Sequence, residues 1–264
     1  MSRTHYREFE ALAHRMADAA GTVQRRYFRT PVTVDTKPDA SPVTIADRES
    51  EAVMREIIAA AYPDHGVYGE EHGKDRIDAE FVWVLDPIDG TKSFITGRPL
   101  FGTLIALCHA GAPVVGIIDQ SIIQERWVGV AGEGAAWNGR PVRVRACPGL
   151  SDAVLLTTSP AMFANGAEAD AFEAVRTAVR LPLYGGDCYA YGQVALGLAD
   201  LVVECNLEPY DFMALVPVVE GAGGRLTDWK GQKLGFGASG QVVAAGDERA
   251  HAAALRLLES ASAD

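Results

Sequence analysis

The sequence predicts a layered α/β fold, on three observations. The chain has 264 residues and is 48% hydrophobic, enough for an extensive core. After two amphipathic stretches, its first half is dominated by short apolar runs bounded by turn residues. From about residue 150, such runs alternate with helical spacing, the pattern of sheets packed between helices. No Ser/Gly-rich linker separates the halves. Two sub-domains sharing a cleft are therefore expected, residues 1–148 and 149–264.

The elements follow in order. Phe9, Leu12, Met16, Ala20, Val23 and Tyr27 recur at helical spacing, so residues 6–28 read as an amphipathic helix. The segment from Pro31 to Pro42 reads as a loop or loose hairpin. Thr44 suits a helix N-cap with Asp47 three residues on, and Val53, Met54, Ile57 and Ile58 form that helix's apolar face. Strands are expected at 81–85, 103–109, 113–119 and 126–130. Asn138-Gly139 is a hairpin turn leading into Val142-Arg143-Val144. Beyond it, strands are expected at 153–158, 181–184, 201–205, 225–227 and 241–245. Helices are expected at 167–179, 188–198, 211–220 and 248–258.

Charge narrows the function. Lys plus Arg total 24 against 35 Asp plus Glu, a net of −11, which disfavours nucleic acid as a partner. No apolar run reaches the ~18 residues of a membrane span, and the N-terminus lacks the apolar core of a signal peptide. Cys108, Cys147, Cys188 and Cys205 form no Cys-x-x-Cys pair, and the six histidines show no ligand spacing. Reduced, buried thiols in a cytoplasmic protein without a membrane partner are the expectation.

The informative segment is Asp86-Pro87-Ile88-Asp89-Gly90-Thr91, directly after the apolar run Trp83-Val84-Leu85. Strand ends are where ligand sites gather in α/β folds. Pro87 fixes one backbone angle and Gly90 permits a tight turn, so Asp86 and Asp89 can converge. Two carboxylates that close must share a proton or a cation. Glu70-Glu71, after Val67-Tyr68-Gly69, and Asp211, after Pro209-Tyr210, extend the acidic set. Oxygen donors alone suit Mg²⁺ or Mn²⁺. Taken singly, Asp-Pro-x-Asp-Gly is an ordinary turn, Asp211 an N-cap and Glu70-Glu71 a solvated pair. Signatures of EF-hands, P-loops, dinucleotide folds and Ser-nucleophile elbows are absent.

Together these segments resemble the inositol monophosphatase family of Mg²⁺-dependent phosphatases. The resemblance rests on Asp86 to Thr91, Tyr210-Asp211 through Gly223-Gly224, Gly69-Glu70-Glu71 and Ser41 to Asp47, in family order over roughly residues 10–245. It implies a five-layer α-β-α-β-α sandwich, often a homodimer. It implies that Glu70, Asp86 and the Ile88 carbonyl hold one metal, and Asp86, Asp89 and Asp211 a second. A third ion would share Glu70, for two or three Mg²⁺ in all, with Mn²⁺ a possible substitute. Asp47 and Thr91 would activate water with Glu70, and the amides of Gly90 and Thr91 would hold phosphate, as amides at helix starts do.

Three segments depart from the inositol-type pattern and look like the histidinol-phosphate phosphatase branch. They are Lys92-Ser93-Phe94, Gly185-Gly186-Asp187-Cys188 and Glu208-Pro209-Tyr210. Histidinol phosphate is cationic beside its ester, so acidic Asp187 and Glu204, with Glu208 as the weaker candidate, are expected at the substrate wall. Asp187 also suits a helix N-cap. Lys37 is taken as a solvated surface lysine. The alternatives are a broad-specificity inositol-1-monophosphatase-like enzyme and a non-catalytic phosphate- or protein-binding member of the fold.

Overall fold

The computed structural model describes residues 4–37, 42–163 and 166–260; residues 38–41 of the expected loop lie outside it. The first half contributes helices α1 (Thr4–Tyr27) and α2 (Ile45–Ala61), with β1 (Val34–Thr36) and β2 (Pro42–Thr44) paired between them. Then come β3 (Gly66–Gly69), β4 (Gly73–Asp75), β5 (Phe81–Asp89), the short helix α3 (Thr91–Ile95), β6 (Gly102–His109), β7 (Ala112–Gln120), β8 (Glu125–Val130), β9 (Gly134–Trp137) and β10 (Arg140–Pro141). The second half runs β11 (Val154–Thr157), α4 (Ala167–Ala178), β12 (Leu181–Tyr184), α5 (Cys188–Ala195), β13 (Leu201–Glu204), α6 (Pro209–Phe212), α7 (Leu215–Gly221), β14 (Arg225–Thr227), β15 (Val242–Ala245) and α8 (Glu248–Ser260).

Two sheets organise these elements. One has eight strands in the order β10-β9-β8-β7-β6-β5-β3-β4, antiparallel except where β3 runs parallel to β5. The other has five, β12-β11-β13-β15-β14, parallel at β12-β11-β13 and antiparallel beyond. Period-two alternation gives every central strand two apolar faces. Trp83, Leu85, Ile105, Leu107, Val115 and Ile117 pack under Phe9, Leu12 and Met16 of α1 and Met54 and Ile58 of α2. Val82, Val84, Leu104, Ala106 and Ile118 face the opposite way, onto Tyr191, Val194, Leu215 and Val218 of α5 and α7. Those helices meet Val202, Leu226, Val242 and Ala244 of the small sheet, whose far face is covered by Phe172 and Val175 of α4 and Ala254 and Leu258 of α8. The stack is α-β-α-β-α, the five layers expected.

Close approach sets the spacing of the layers. A Cβ on Gly116 would lie 2.1 Å from the Ala214 carbonyl oxygen, and one on Gly129 2.1 Å from that of Pro217. These two glycines let the α7 segment lie directly on β7 and β8, so larger residues there would force the layers apart.

Several boundaries differ from expectation. Residues 142–144 form no strand: the Asn138-Gly139 hairpin closes after two residues, at Arg140–Pro141. The helix expected at 188–198 stops at Ala195, with a left-handed Gly197 just beyond. The helix expected at 211–220 is two, α6 and α7, with Pro209 in the first turn of α6. β3, β4 and α3 are too short to show a period in the sequence.

Candidate active site

The site forms where β5 leaves its sheet. In a regular strand, residues three apart point to opposite faces, so Asp86 and Asp89 would be split between the α1 side and the α5 side. The register prevents this. Asp86 pairs with Leu104 and Asp89 with Gly102, so the two residues Pro87 and Ile88 stand opposite Thr103 alone. This is a β-bulge, and it shifts the alternation by one. Leu104 and Gly102 share a face, so both aspartates point toward the middle helical layer. Gly102 clears the way, since a Cβ there would lie 2.7 Å from Cys188 Sγ.

Asp211 arrives from that layer as the fourth residue of the Glu208 capping box. It is not itself the N-cap; its carboxylate accepts the Glu208 amide at 2.7 Å. Carboxylate oxygens of Asp86, Asp89 and Asp211 lie within 4.8 Å of one another. Glu70 reaches the same centre because β3 is parallel to β5: Gly69 pairs with Leu85, and the Glu70 amide donates to the Leu85 carbonyl at 3.1 Å. Its carboxylate lies close enough to help raise the pKa of Asp86.

Energetics show what this cluster needs. At an effective dielectric of 20, two full charges 4.8 Å apart repel by about 3.5 kcal/mol. Three such pairs rival the ~5–15 kcal/mol that holds a whole domain together. Burial, then the neighbouring carboxylates, push Asp86 and Asp89 well above the usual carboxylate range. Burial raises Asp211 to about 8. Among the described side-chain atoms, buried Glu70 Oε2 has no hydrogen-bond partner. An oxygen-only donor set with an orphaned buried carboxylate oxygen fits a hard divalent cation, which would displace the protons.

The remaining predicted residues flank this centre. Asp47 is fully buried; its Oδ2 accepts from the Thr44 amide at 2.8 Å and the Thr44 hydroxyl at 2.6 Å. Its Oδ1 faces the Thr91 hydroxyl at 3.4 Å, and that hydroxyl also lies 3.2 Å from the Ile88 carbonyl. Burial raises the Asp47 pKa. Gly90 precedes α3 at φ +89°, a left-handed conformation that starts the helix directly after the strand. A Cβ there would lie 2.8 Å from Asp187 Oδ2, so Asp187 sits over Gly90.

Asp187 occupies the N-cap position of α5 but makes no side-chain cap bond, and its φ is +44°. Ser93 Oγ donates to it at 3.4 Å, and burial raises it to about 6. Glu204 is buried at the end of β13, accepting from the Thr158 amide and the Tyr191 hydroxyl, both at 2.8 Å. Burial lifts it to about 7. Asp187, Glu204, Asp89, Asp211, Thr158 and Tyr191 line one cavity of about 70 Å³. Glu208 is not among its lining residues; it is exposed, caps α6 and meets the Tyr68 hydroxyl at 3.4 Å.

Lys37 corrects an expectation. It is not a solvated lysine: its ammonium donates to Glu70 at 2.7 Å and to Glu71 at 2.5 Å. Burial opposes its charge, but those bonds prevail and hold its pKa above the ordinary value. Glu51 was not singled out by the sequence. Fully buried in α2, it accepts the amides of Glu71 (2.6 Å) and His72 (3.1 Å) and so fixes the Glu70 loop. Gly69 admits it, since a Cβ there would lie 2.0 Å from Glu51 Oε1. A larger cavity of about 550 Å³ between α1 and β7–β8 has its charges spent internally, Arg126 bonding Asp119, Asp18 and His14.

The model of the inositol monophosphatase family matches residues 5–263. The chain is 51% identical to the bifunctional phosphatase IMPL2, chloroplastic, of Arabidopsis thaliana, covering 98% of this chain and 77% of that one. It is 36% identical to a histidinol-phosphatase of Chlorobaculum parvum, covering 88% and 90%. Among solved structures, an inositol monophosphatase from Zymomonas mobilis superposes with a TM-score of 0.89 at 49% identity, covering 98% of this chain and all of that one. Fold and matched length converge, and the chain belongs to the inositol monophosphatase family of phosphatases.

Proposed function

We propose that the protein is a Mg²⁺-dependent phosphomonoesterase acting on histidinol phosphate, releasing histidinol and phosphate in histidine biosynthesis. The observation that carries this reading is the acidic wall. Asp187 and Glu204 line the cavity that opens beside the Asp86–Asp89–Asp211 centre. A neutral polyol needs hydrogen bonds, whereas a substrate with an ammonium and an imidazole gains from carboxylates held where water is scarce. The Chlorobaculum relative, by its name a histidinol-phosphatase, supports the same substrate.

In this reading Glu70, Asp86, Asp89, Asp211 and the Ile88 carbonyl hold two or three Mg²⁺, or Mn²⁺ in their place. Such ions acidify water and neutralise charge on the ester. Asp47 accepts the proton through Thr91, whose hydroxyl lies between Asp47 and the Ile88 carbonyl. The amides of Gly90 and Thr91 hold a phosphate oxygen, and the left-handed Gly90 aims them. Asp187 and Glu204 orient the cationic end. Glu208, expected beside them, contributes instead by capping α6 and fixing Asp211. No phosphoenzyme forms.

The division at 148/149 belongs to this reading: residues 1–148 supply most metal ligands, and 149–264 supply Asp211 and the substrate wall. So does a homodimer, for which the exposed Leu181, Leu183 and Tyr184 on edge strand β12 offer an apolar surface. Four free, buried cysteines suit a reducing compartment such as the cytoplasm, and no helix among the described residues is long and apolar enough to cross a membrane.

A broad-specificity inositol monophosphatase is the second reading, favoured by the 49%-identical Zymomonas structure, described as one. Comparing kcat/KM on histidinol phosphate and inositol 1-phosphate separates them. A ratio near one would reject dedicated histidinol-phosphate chemistry.

A further inference from the structure

The bulge in β5 requires a device to hold it. A bulge takes residues out of the ladder, and Pro87 has no N–H with which to re-enter it. Its carbonyl lies in the interior, where an unmatched acceptor is costly. Two buried side chains from two elements converge on it, and a third, Ser121, holds one of them. Gln24 of α1 donates through Nε2 to the Pro87 carbonyl at 2.8 Å and to Thr103 Oγ1 at 2.5 Å. The Thr103 hydroxyl, in β6, donates to the same carbonyl at 3.0 Å. Ser121, just past β7, donates to Gln24 Oε1 at 2.7 Å. The Gln24 amide is engaged at both ends, its nitrogen donating and its oxygen accepting.

The surroundings show how specific this arrangement is. Thr103 is the one residue that faces the two-residue bulge. Gln24 lies on the apolar face of α1, four residues after Ala20, where an aliphatic residue would suit the core. Gly21, one turn before it, brings α1 close enough: a Cβ there would lie 2.9 Å from Ser121 Cβ. With the Pro87 carbonyl held toward α1, the next carbonyl, that of Ile88, meets Thr91 Oγ1 on the site side. The Ile88 side chain is meanwhile locked among Ala46, Phe94 and Phe101.

We infer that Gln24, with Thr103 and Ser121, is a positioning residue for the metal centre. The network fixes the bulge, the bulge aims Asp86, Asp89 and the Ile88 carbonyl, and their common direction sets the affinity for a divalent cation. This rests on the metal-centre reading given above. An apolar trio would leave the buried Pro87 carbonyl without a donor, so the network both satisfies that acceptor and fixes the direction of the bulge.

The test uses the full chain and the variants Gln24→Leu, Thr103→Val and Thr103→Ser. The midpoint for Mg²⁺ is read in two ways, from phosphate release and from the Mg²⁺-dependent rise in Tm. Gln24→Leu and Thr103→Val raise both midpoints ~10–100-fold, the usual effect of losing a ligand's supporting partner. They leave kcat at saturating Mg²⁺ within about threefold of the parent, because the positioned groups are still present. Thr103→Ser, which keeps the hydroxyl, returns both midpoints toward the parent value. A fall in Tm with Mg²⁺ midpoints unchanged would make the network a stability staple only and overturn the inference. If Gln24→Leu does not fold, the Thr103→Val and Thr103→Ser pair decides. A parent whose Tm rises with Mg²⁺ but which releases no phosphate would defeat the catalytic reading alone, the Tm arm still deciding this one. A parent that does not respond to Mg²⁺ at all defeats both.

Discussion

The two ends of the cleft are built on different principles. At the proposed metal end, Asp86 and Asp89 sit on a central strand, their direction fixed by backbone register, and three carboxylates crowd one another although each also accepts one backbone amide. At the proposed substrate wall, Asp187 and Glu204 sit at element ends, spaced apart and each on its own partners: Ser93 for one, Thr158 and Tyr191 for the other. Like charges crowded on a rigid frame call for a cation. A lone carboxylate at the end of an element is a tunable contact. The first is what a family can share while the second diversifies, which fits relatives that match over nearly the whole chain yet carry different substrate names.

The comparison can be broken most forcefully at the metal end. Asp89→Asn is expected to lower Mg²⁺-dependent phosphate release by roughly 10³-fold, as loss of a preorganised electrostatic group does. A steady-state colorimetric assay at saturating Mg²⁺ reads this, and parent-like turnover would remove Asp89 from the centre. The wall answers on a smaller scale. Asp187→Asn is expected to cost ~10–100-fold in kcat/KM on histidinol phosphate, the worth of one charged hydrogen bond, and under about threefold on a neutral phosphate ester. Equal losses on both substrates would reject selection by charge.

Much of the metal end was legible in the sequence because its acids are packed into one hexapeptide, Asp86 to Thr91, with Glu70 and Asp211 each beside a recognisable turn. The bulge was not legible. Asp-Pro-x-Asp spacing does not say whether two aspartates share a face; the pairing with Leu104 and Gly102 decides that, and it is a tertiary fact. Lys37 was misread for a similar reason, since its partners lie 33 and 34 residues away. Gln24 left a trace, a polar residue at the spacing of the α1 apolar face. At the wall, nothing local distinguishes Glu204, which points into the cavity, from Glu208, which caps a helix.

Acidity sharpens the contrast further. Asp211, raised to about 8 by burial, is most stably folded when neutral. An unfolded aspartate titrates near 3.9. The metal-free fold therefore has this contribution in full below about pH 4 and loses it as pH rises through about 8. Scans of Tm against pH are expected to show that decline without metal, and a Mg²⁺-induced rise in Tm that grows toward alkaline pH as protons cease to compete. A Mg²⁺ effect that is independent of pH would contradict protonation of the cluster. The smallest effect expected is at the cap: Glu208→Ala should lower stability by ~1 kcal/mol in denaturant titration while changing KM for histidinol phosphate less than about twofold. A large KM effect would return Glu208 to the substrate wall.

The central claim is that a strand bulge turns Asp86 and Asp89 to meet Asp211 around a shared cation. Anomalous diffraction from crystals soaked in Mn²⁺ tests it most directly. The account predicts a strong peak within coordination distance of carboxylate oxygens from all three residues, with Glu70 and the Ile88 carbonyl at an adjoining peak. Saturating Mn²⁺ that leaves this centre without anomalous density, or that binds elsewhere, would contradict it.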